Sequence, residues 1–485
     1  MTKDMTRGTP YKLILGFTIP LLAGMIFQQL YNLVDTMIVG QTLGVTALAG
    51  VGATGSINFL VLGFCMGICS GFAIPVARSF GAQDEARLRN YVTNGILICT
   101  LFGAVLTIST VIFCRDILVL MGTPADCLED AYEYIVVIFA GIPATLLYNM
   151  LSGYLQALGD SRTPLFFLVF SSVLNVILDL FFILNLHLGI FGASLATVLS
   201  QGISGLLCLV WIRLKFPILH LTRADWQVRP DHIRELCSYG IPMGLQYSIT
   251  AIGSIILQVG VNSLGSSAVA AVTAGGKINN FLACVPNGLG STMATYCAQN
   301  VGAGHYDRLD KGTISASIIG TVYTIFAVVI SLAFGTPMAR LFVTGTGSDA
   351  ILSMSQQYLL VNTIFYPALT LVNVYRFAIQ GMGFSLFSIF SGLMEMIARM
   401  FAGIILVPTL GFTGCSMASP LAWIMADIFL VPAYFHCKKV LMTKAHHIQP
   451  APSERLAGSR SGAELSGHRS FGFLFHHKKK TLQSI

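Results

Sequence analysis

Apolar stretches long enough to cross a lipid bilayer dominate this sequence. A helix needs about 20 residues to cross the hydrocarbon core, and twelve such stretches follow one another, separated by short charged or Gly/Pro-rich loops. They cover residues 13–38, 47–77, 91–113, 131–157, 164–185, 188–212, 237–263, 270–299, 313–335, 352–379, 384–407 and 412–436. The sequence therefore predicts an all-α integral membrane protein with twelve transmembrane helices.

Composition excludes several other classes. Charged residues make up only 10% of the 485 residues and hydrophobic residues 54%, whereas a soluble domain has about 25% charged residues. This excludes a secreted disulfide scaffold, a disordered regulator and an ordinary soluble enzyme. The eleven cysteines form no CxxC pair, so we interpret them as small buried hydrophobic residues and expect no structural metal.

Lysine and arginine indicate the orientation in the membrane. Cytoplasmic loops carry an excess of both residues. With the N-terminus inside, the predicted outer loops hold only Arg115 and Arg340, while most of the 28 Lys and Arg residues fall in inner loops or near the C-terminus. Both termini are therefore predicted to be cytoplasmic in a multi-pass plasma (inner) membrane protein. The net charge of +7 is a topology signal, and we expect no nucleic-acid partner.

The chain repeats itself once, at an offset of about 221 residues. Leu43-Gly44 recurs as Leu264-Gly265, and Gly81-Ala82 recurs as Gly302-Ala303. Because six helices is an even number, the two copies have the same orientation and are related by an axis along the membrane normal. The predicted organisation is an N-terminal six-helix lobe (1–212), a cytoplasmic linker (213–236), a C-terminal six-helix lobe (237–440) and a disordered cytoplasmic tail (441–485).

Ionisable residues inside transmembrane helices are costly and are functional candidates by default. Asp35 and Asp179 lie within predicted spans of the first lobe, which offers neither acid a basic partner. Polar residues accompany them at helical spacing: Gln28, Tyr31 and Asn32 before Asp35, and Asn175 before Asp179. A buried carboxylate can exchange a proton or trade it for a cation, so both acids are candidate exchange sites. The alternative is that they are polar anchors between helices.

The second lobe has a different charge pattern. Glu395 lies four residues before Arg399, which predicts an ion pair on one helix face. Lys277 and Arg376 are candidate members of the same network, and Asp427 is a candidate partner for either. A structural role is at least as well supported here as a role in substrate binding or gating.

Pro20 lies inside the first predicted span and is expected to kink it, because proline lacks an amide donor and clashes with the preceding turn. Asp35 is on the same helix. A change in the protonation of Asp35 could therefore alter the bend, although a static kink is an equal alternative.

Motifs for catalysis or nucleotide binding are absent from the sequence. There is no HExxH, no Walker A loop and no regional grouping of Ser, His and Asp. We therefore predict that the chain is neither an enzyme nor an ATP-driven pump, and that it needs no cofactor. An ion gradient must supply the energy, at about 2.3 kcal/mol per charge and 100 mV.

Four segments together carry a family resemblance: Asp35-Thr36-Met37-Ile38-Val39-Gly40, the loop from Gly159 to Pro164, the run from Asn175 to Asp179, and the run from Gly192 to Thr197. Over residues 10 to 440 the sequence resembles the multidrug and toxic compound extrusion (MATE) family, with most likeness to its DinF-type and related Gram-positive branch. The resemblance implies a V-shaped pair of six-helix bundles. It also implies export of amphiphilic, often cationic compounds in exchange for H⁺ or Na⁺ by alternating access.

The resemblance also implies roles for particular residues. Asp35, Asn175, Asp179 and Thr197 match the family's cation or proton site, and Pro20 matches the proline proposed to bend the first helix. The sequence departs from the family pattern at Ser152, where similar members have asparagine, and Asn149 lies one turn earlier as a substitute. The acids that the NorM-like branch uses in its seventh and tenth helices are absent here, with Gln246 and an uncharged stretch nearby.

The acids of the N-terminal lobe and the missing acids of the C-terminal lobe favour proton over sodium coupling. Small organic molecules and the lipid bilayer are the expected partners, and the protein is expected to be a monomer. Two alternatives remain. One is a flippase for lipid-linked precursors or a polysaccharide exporter of the wider superfamily, and the other is a membrane sensor or scaffold that transports nothing.

Overall fold

The computed structural model describes residues 4–121, 123, 127–342 and 348–448. These residues form α-helices joined by short loops, and no strand occurs among them. The first eight helices are α1 (Pro10–Leu43), α2 (Val45–Gly81), α3 (Glu85–Ile112), α4 (Cys114–Leu120), α5 (Leu128–Ala140), α6 (Ile142–Ala157), α7 (Arg162–Leu180) and α8 (Gly189–Lys215). The others are α9 (Pro230–Asn262), α10 (Ser266–Gly302), α11 (Asp307–Ala339), α12 (Ser348–Ile364), α13 (Tyr366–Met382), α14 (Leu386–Phe401), α15 (Val407–Leu410) and α16 (Phe412–Ile448).

The predicted set of membrane helices is confirmed. In the described part of the chain, ten helices are long and apolar enough to cross a membrane, and two further pairs of helices pass the same test together. Counting each pair as one span gives twelve. We call residues 10–215 the N-terminal half and residues 230–438 the C-terminal half; each contains six spans.

The fourth and tenth spans are broken, which the sequence analysis did not predict. Helices α5 and α6 meet at an angle of 49°, and so do α12 and α13. In both places a proline, Pro143 or Pro367, occupies the start of the second helix. Proline has no amide hydrogen to continue the hydrogen-bond ladder of the preceding helix, so each span changes direction there.

Other backbone irregularities also recur in both halves. Short π-helices cover Phe181–Asn185 and Ala402–Leu406, which are 221 positions apart. Gly44 and Gly265, also 221 positions apart, have φ angles of 90° and 92°, a region in which residues with a Cβ atom are strained. The internal repeat is therefore a repeat of backbone conformation as well as of sequence.

Large apolar side chains cover the outside of the bundle. On α11 they are exposed at every third or fourth position: Ile314, Ile318, Val322, Ile325, Val329 and Leu332. One face of a helix repeats with this spacing. In water so large an apolar stripe would be unfavourable, so this face is suited to lipid.

Glycines bring the two halves into backbone contact on the side of the bundle's middle that faces one end. We call this the basic end; α1, α3 and α9 begin there and α2 and α10 end there. A Cβ atom built on Gly67 would lie 2.6 Å from the Gly244 Cα, and one built on Gly71 would lie 2.5 Å from the Gly240 Cα. Small residues allow such close helix approach in membranes, so α2 and α9 form a tight seam.

The halves separate toward the opposite end, which we call the far end. One helical turn beyond Gly67, a Cβ on Gly63 would still lie 3.5 Å from the Tyr247 Cβ. Further along α2, a Cβ on Gly55 would have no atom outside its own helix backbone within 4 Å, and the same holds for Gly276 of α10. Helices α2 and α9 are thus in close contact at Gly67 and Gly71, and open space lies beside Gly55 and Gly276 nearer the far end.

Residues up to Lys438 form one compact unit. The described residues after it, 439–448, continue α16 as a helix. The predicted tail from residue 441 lies largely outside the described residues.

The seam makes a prediction about packing. Leucine at Gly71 would collide with the backbone of Gly240, whereas Gly55 has open space beside it. Because overpacking costs about 1–3 kcal/mol, we expect Gly71→Leu to lower the thermal unfolding midpoint in detergent micelles and Gly55→Leu to leave it unchanged. Equal midpoints for the two variants would contradict the close contact of α2 with α9.

Candidate functional site

Two carboxyl groups meet inside the N-terminal half. Asp35 comes from α1 and is 9% exposed, and Asp179 comes from the last turn of α7 and is fully buried. Their side chains lie within hydrogen-bonding range of each other. Each has one oxygen, Oδ1, that is buried without a partner among the described residues. The sequence predicted both acids as candidates, but not that they would touch.

Asn175 and Thr197 hold Asp179 in place. With its amide oriented so that both ends find partners, Asn175 donates to the Asp179 Oδ2 over 2.9 Å and accepts from the Thr197 Oγ1 over 3.2 Å. Tyr31, one turn before Asp35, lies within reach of Thr197 and within electrostatic range of both acids. Three helices, α1, α7 and α8, thus converge on one polar site.

This geometry has a direct chemical consequence. Two ionised carboxylates in contact repel strongly in a low-dielectric interior. A proton shared between them replaces that repulsion with a hydrogen bond, and a bound cation would neutralise it. The site can therefore hold a proton or a monovalent cation and release it when the surroundings change.

A small cavity of about 50 Å³ adjoins Tyr31 of this site. Its lining includes polar groups from α1, α6, α7 and α8: Gln28, Tyr31, Tyr148, Asn149, Ser171, Ser172, Ser200 and Gln201. Of the residues singled out from the sequence, Gln28, Tyr31 and Asn149 line this cavity. Asn32 is exposed on α1, and Ser152 accepts a hydrogen bond from Gln156 over 3.4 Å.

Pro20 lies in the interior of α1, which runs without a break from Pro10 to Leu43. Its missing amide removes the hydrogen bond that would reach the Gly16 carbonyl. Two residues earlier, Thr18 shares a 2.8 Å hydrogen bond with Thr292 of α10. This part of α1 therefore contacts the C-terminal half directly.

The C-terminal half contains a buried charge cluster. Glu395 of α14 forms an ion pair with Arg376 of α13 and a second with Arg399 one turn away on its own helix, at 3.2 Å. The Arg376 Nε also donates to the Ser391 Oγ over 3.0 Å. The predicted contact between Glu395 and Arg399 is confirmed, and Arg376 is the third member.

Lys277 and Asp427 do not join this cluster by ion pairing, and their inclusion in the predicted network is corrected. Lys277 lies on an exposed face of α10 and forms no ion pair among the described residues. Asp427 of α16 lies within electrostatic range of Arg376 and Glu395, but its Oδ1 is buried without a hydrogen-bond partner in the part of the chain described. The two arginines already occupy both oxygens of Glu395.

A second small cavity, of about 60 Å³, lies between the halves. Residues of α2, α6, α9, α10 and α13 line it: Ser70, Ala73, Ile74, Ala77, Gly153, Gln156, Met243, Ser291, Ala294, Thr295 and Phe377. Most of these residues are apolar or small. Its wall is largely apolar, with a few polar groups from Ser70, Gln156 and Thr295.

A polar cluster at the basic end was missed by the sequence analysis. Glu235 of α9 accepts hydrogen bonds from Tyr91 and from Arg78 and Arg87, the latter two at 3.4 and 3.5 Å. Arg78 also donates to the Tyr239 hydroxyl over 3.0 Å. In the sequence, these arginines indicate only the orientation of the protein in the membrane. Nothing in their spacing predicts that Glu235 would lie between them.

Gln299 forms a second bridge at this end. Its side chain is fully buried, donates to the Ala157 carbonyl over 2.8 Å and accepts from the Met5 amide over 2.9 Å. A Cβ atom on Gly81 would lie 2.0 Å from the Gln299 carbonyl oxygen. One amide of α10 thus binds two segments of the N-terminal half.

The chain between the halves is attached to α3. Asn90 donates to the carbonyls of Asp225 and Gln227 over 3.1 and 2.9 Å, and Asn94 accepts from the Arg229 amide over 3.2 Å. Burial alone would raise the pKa of Asp225, but hydrogen bonds from Thr222 together with the nearby Arg89 hold that pKa below its usual value. The linker is therefore fixed to the N-terminal half.

A structural metal site is not evident in the described residues, where no three His, Cys, Asp or Glu side chains come together.

The charge cluster makes a prediction about stability. Removing the carboxylate by Glu395→Gln leaves two buried guanidinium groups without an anion, which costs about 3–5 kcal/mol. We expect a marked fall in the unfolding midpoint, measured in detergent micelles. Glu133→Gln, on an exposed position of α5, is the matched control and should change stability by less than about 0.5 kcal/mol. Equal effects would contradict the pairing.

Known proteins resemble this chain along most of its length. It is 31% identical over 345 residues to the probable multidrug resistance protein YoeA of Bacillus subtilis, covering 68% of this chain and 74% of the relative. It is 28% identical over 365 residues to the probable multidrug resistance protein YpnP of the same organism, covering 75% and 81%.

Solved structures show the same fold. A crystal structure of MATE in complex with MaL6 superposes with a TM-score of 0.85 at 24% identity, covering 91% of this chain and all of that one. The sequence matches MatE over residues 20–181 and 242–407, one segment in each half. The chain therefore belongs to the MatE family of membrane transporters and is not an enzyme.

Proposed function

We propose that this protein is a secondary active antiporter that exports amphiphilic, often cationic organic compounds in exchange for protons, with sodium as the second candidate ion. The contact between Asp35 and Asp179 carries the proposal, because it would provide a buried exchange site between membrane-spanning helices. The names of the relatives, which refer to multidrug resistance, support organic compounds as the cargo.

The position of the carboxyl pair supports competition between ion and substrate. Tyr31 lies within electrostatic range of both carboxyl groups and also lines the adjoining cavity. A cation in the cavity would favour ionised carboxylates, and protonation of the pair would favour its release. Exchange of a proton for a cationic compound follows from this reciprocal preference.

The two halves support alternating access as the transport cycle. We propose two lobes, residues 1–212 and 237–440, that rock about the seam, with both termini cytoplasmic in the plasma membrane and the monomer as the working unit. The closed basic end and the open far end then correspond to the outward-facing form. Opening to the cytoplasm requires separation of α2 from α9 and release of Glu235 from its three donors.

Gradient-driven efflux tests the proposed exchange. We expect proteoliposomes to move a permanently charged fluorescent dye toward the acidic side of a pH gradient, because protons flow the opposite way. Asp35→Asn and Asp179→Asn should reduce this efflux to the rate of empty liposomes. Asp116→Asn, at an exposed position on α4, should retain it.

A sodium gradient applied alone distinguishes the coupling ion. Efflux driven by sodium and not by pH would replace the proton with sodium. If neither gradient drives efflux and the variants behave like the parent, the antiporter proposal is wrong. A flippase for lipid-linked precursors is then the better interpretation of the protein's function.

The basic-end cluster gives a separate prediction about motion. Glu235→Gln removes the charge that binds Arg78 and Arg87, so the basic end should open more often. We expect faster deuterium exchange of peptides covering residues 225–245 in lipid nanodiscs. Asp231→Asn, on an exposed position one turn earlier in α9, is the control. Unchanged exchange in Glu235→Gln would show that the cluster does not hold the basic end closed.

A further inference from the structure

We propose that Arg376 and Arg399 form a recognition site for a carboxylate group on the transported compound. The inference rests on the proposed function, since it names a chemical feature of the cargo. The favoured cargo is then a zwitterion whose cationic part interacts with the N-terminal half and whose acid interacts with the C-terminal half.

The first argument is the charge of the cluster. Two guanidinium groups are paired with a single carboxylate, Glu395. Asp427 lies in electrostatic range but makes no ion pair with either arginine in the described chain. The direct contacts therefore leave one positive charge without a contacting anion, which is costly inside a membrane protein unless it is functional. A ligand anion would supply this second contact.

The second argument is unused hydrogen-bonding capacity. Arg399 has a nitrogen, Nη1, that is buried and has no partner among the described residues. Buried polar groups in native proteins are nearly always paired with protein, water or a ligand. The planar guanidinium group presents donors that match the two oxygens of a carboxylate, so a ligand acid fits the unused donor.

The third argument is position. The side chains of Arg376 and Arg399 retain 8% and 10% of their accessible surface. Phe377, the residue after Arg376, lines the cavity between the halves. Arg376 also lies in electrostatic range of Tyr247, whose Cβ lies 3.5 Å from a Cβ built on Gly63 across the seam. Residues next to the cluster in sequence and in space thus lie at the interface between the halves.

The fourth argument is the contrast between the halves. The N-terminal half has two acids at its core that lack a basic partner among the described residues, Asp35 and Asp179, whereas two arginines share one carboxylate in the core of the C-terminal half. Opposite charges in the two halves favour a ligand that carries both charges.

A matched pair of dyes tests the proposal. One is a cationic xanthene dye with a free carboxylic acid, and the other is its methyl ester, which differs only in lacking the negative charge. Fluorescence anisotropy in nanodiscs gives the Kd of each dye without any gradient. We expect Arg376→Gln and Arg399→Gln to weaken binding of the acid about tenfold, equivalent to about 1.4 kcal/mol, and to change binding of the ester less than twofold.

These variants are expected to fold, because removal of either arginine leaves Glu395 paired with the other. Arg399→Lys keeps the positive charge but loses the planar guanidinium group, so this variant should bind the acid with intermediate affinity. Arg340→Gln, at an exposed turn after α11, is the control and should bind both dyes like the parent.

Equal weakening of both dyes would assign the arginines a purely structural role and overturn the proposal. So would unchanged binding of the acid in both variants. Because binding is measured without a gradient, loss of discrimination would leave the antiporter proposal standing. Discrimination without gradient-driven efflux would instead overturn the antiporter proposal and leave the carboxylate site intact.

Discussion

Backbone contact between α2 and α9 is the constraint on which the rest of the structure depends. Only glycine allows the two helices to approach as closely as they do at Gly67, Gly71, Gly240 and Gly244. The contact lies toward the basic end, and open space lies beside Gly55 and Gly276 nearer the far end. Polar bridges through Glu235 and Gln299 join the halves at the basic end.

The internal repeat gives both halves the same backbone conformation but different buried charged residues. Broken spans, π turns and positive-φ glycines recur at matching positions. The polar residues do not: Asp179 has Met400 at the position 221 residues later, and Glu395 has Leu174 at the position 221 residues earlier. Each half therefore keeps the common frame and builds its own buried charge site.

The sequence was sufficient for the helices and for the buried acids, since both depend on local patterns. Length and hydropathy located all twelve spans, and the i,i+4 spacing identified the pair of Glu395 and Arg399. Contacts between residues that are far apart in the sequence could not be predicted. Three such contacts join residues more than 100 positions apart: the Asp35–Asp179 contact, the bridge through Gln299 and the cluster at Glu235. Local sequence patterns carry no information about contacts between such distant residues.

The π turn that follows Asp179 sets the direction of the chain around the carboxyl pair. Each residue of an α-helix advances about 100° around the axis, and a π turn accommodates one additional residue. Side chains after Phe181–Asn185 therefore face about 100° away from where an uninterrupted helix would point them. The π turn at Ala402–Leu406 introduces the same offset at the equivalent position of the C-terminal half. Each half thus carries one shift of helical phase at the same point of the repeat.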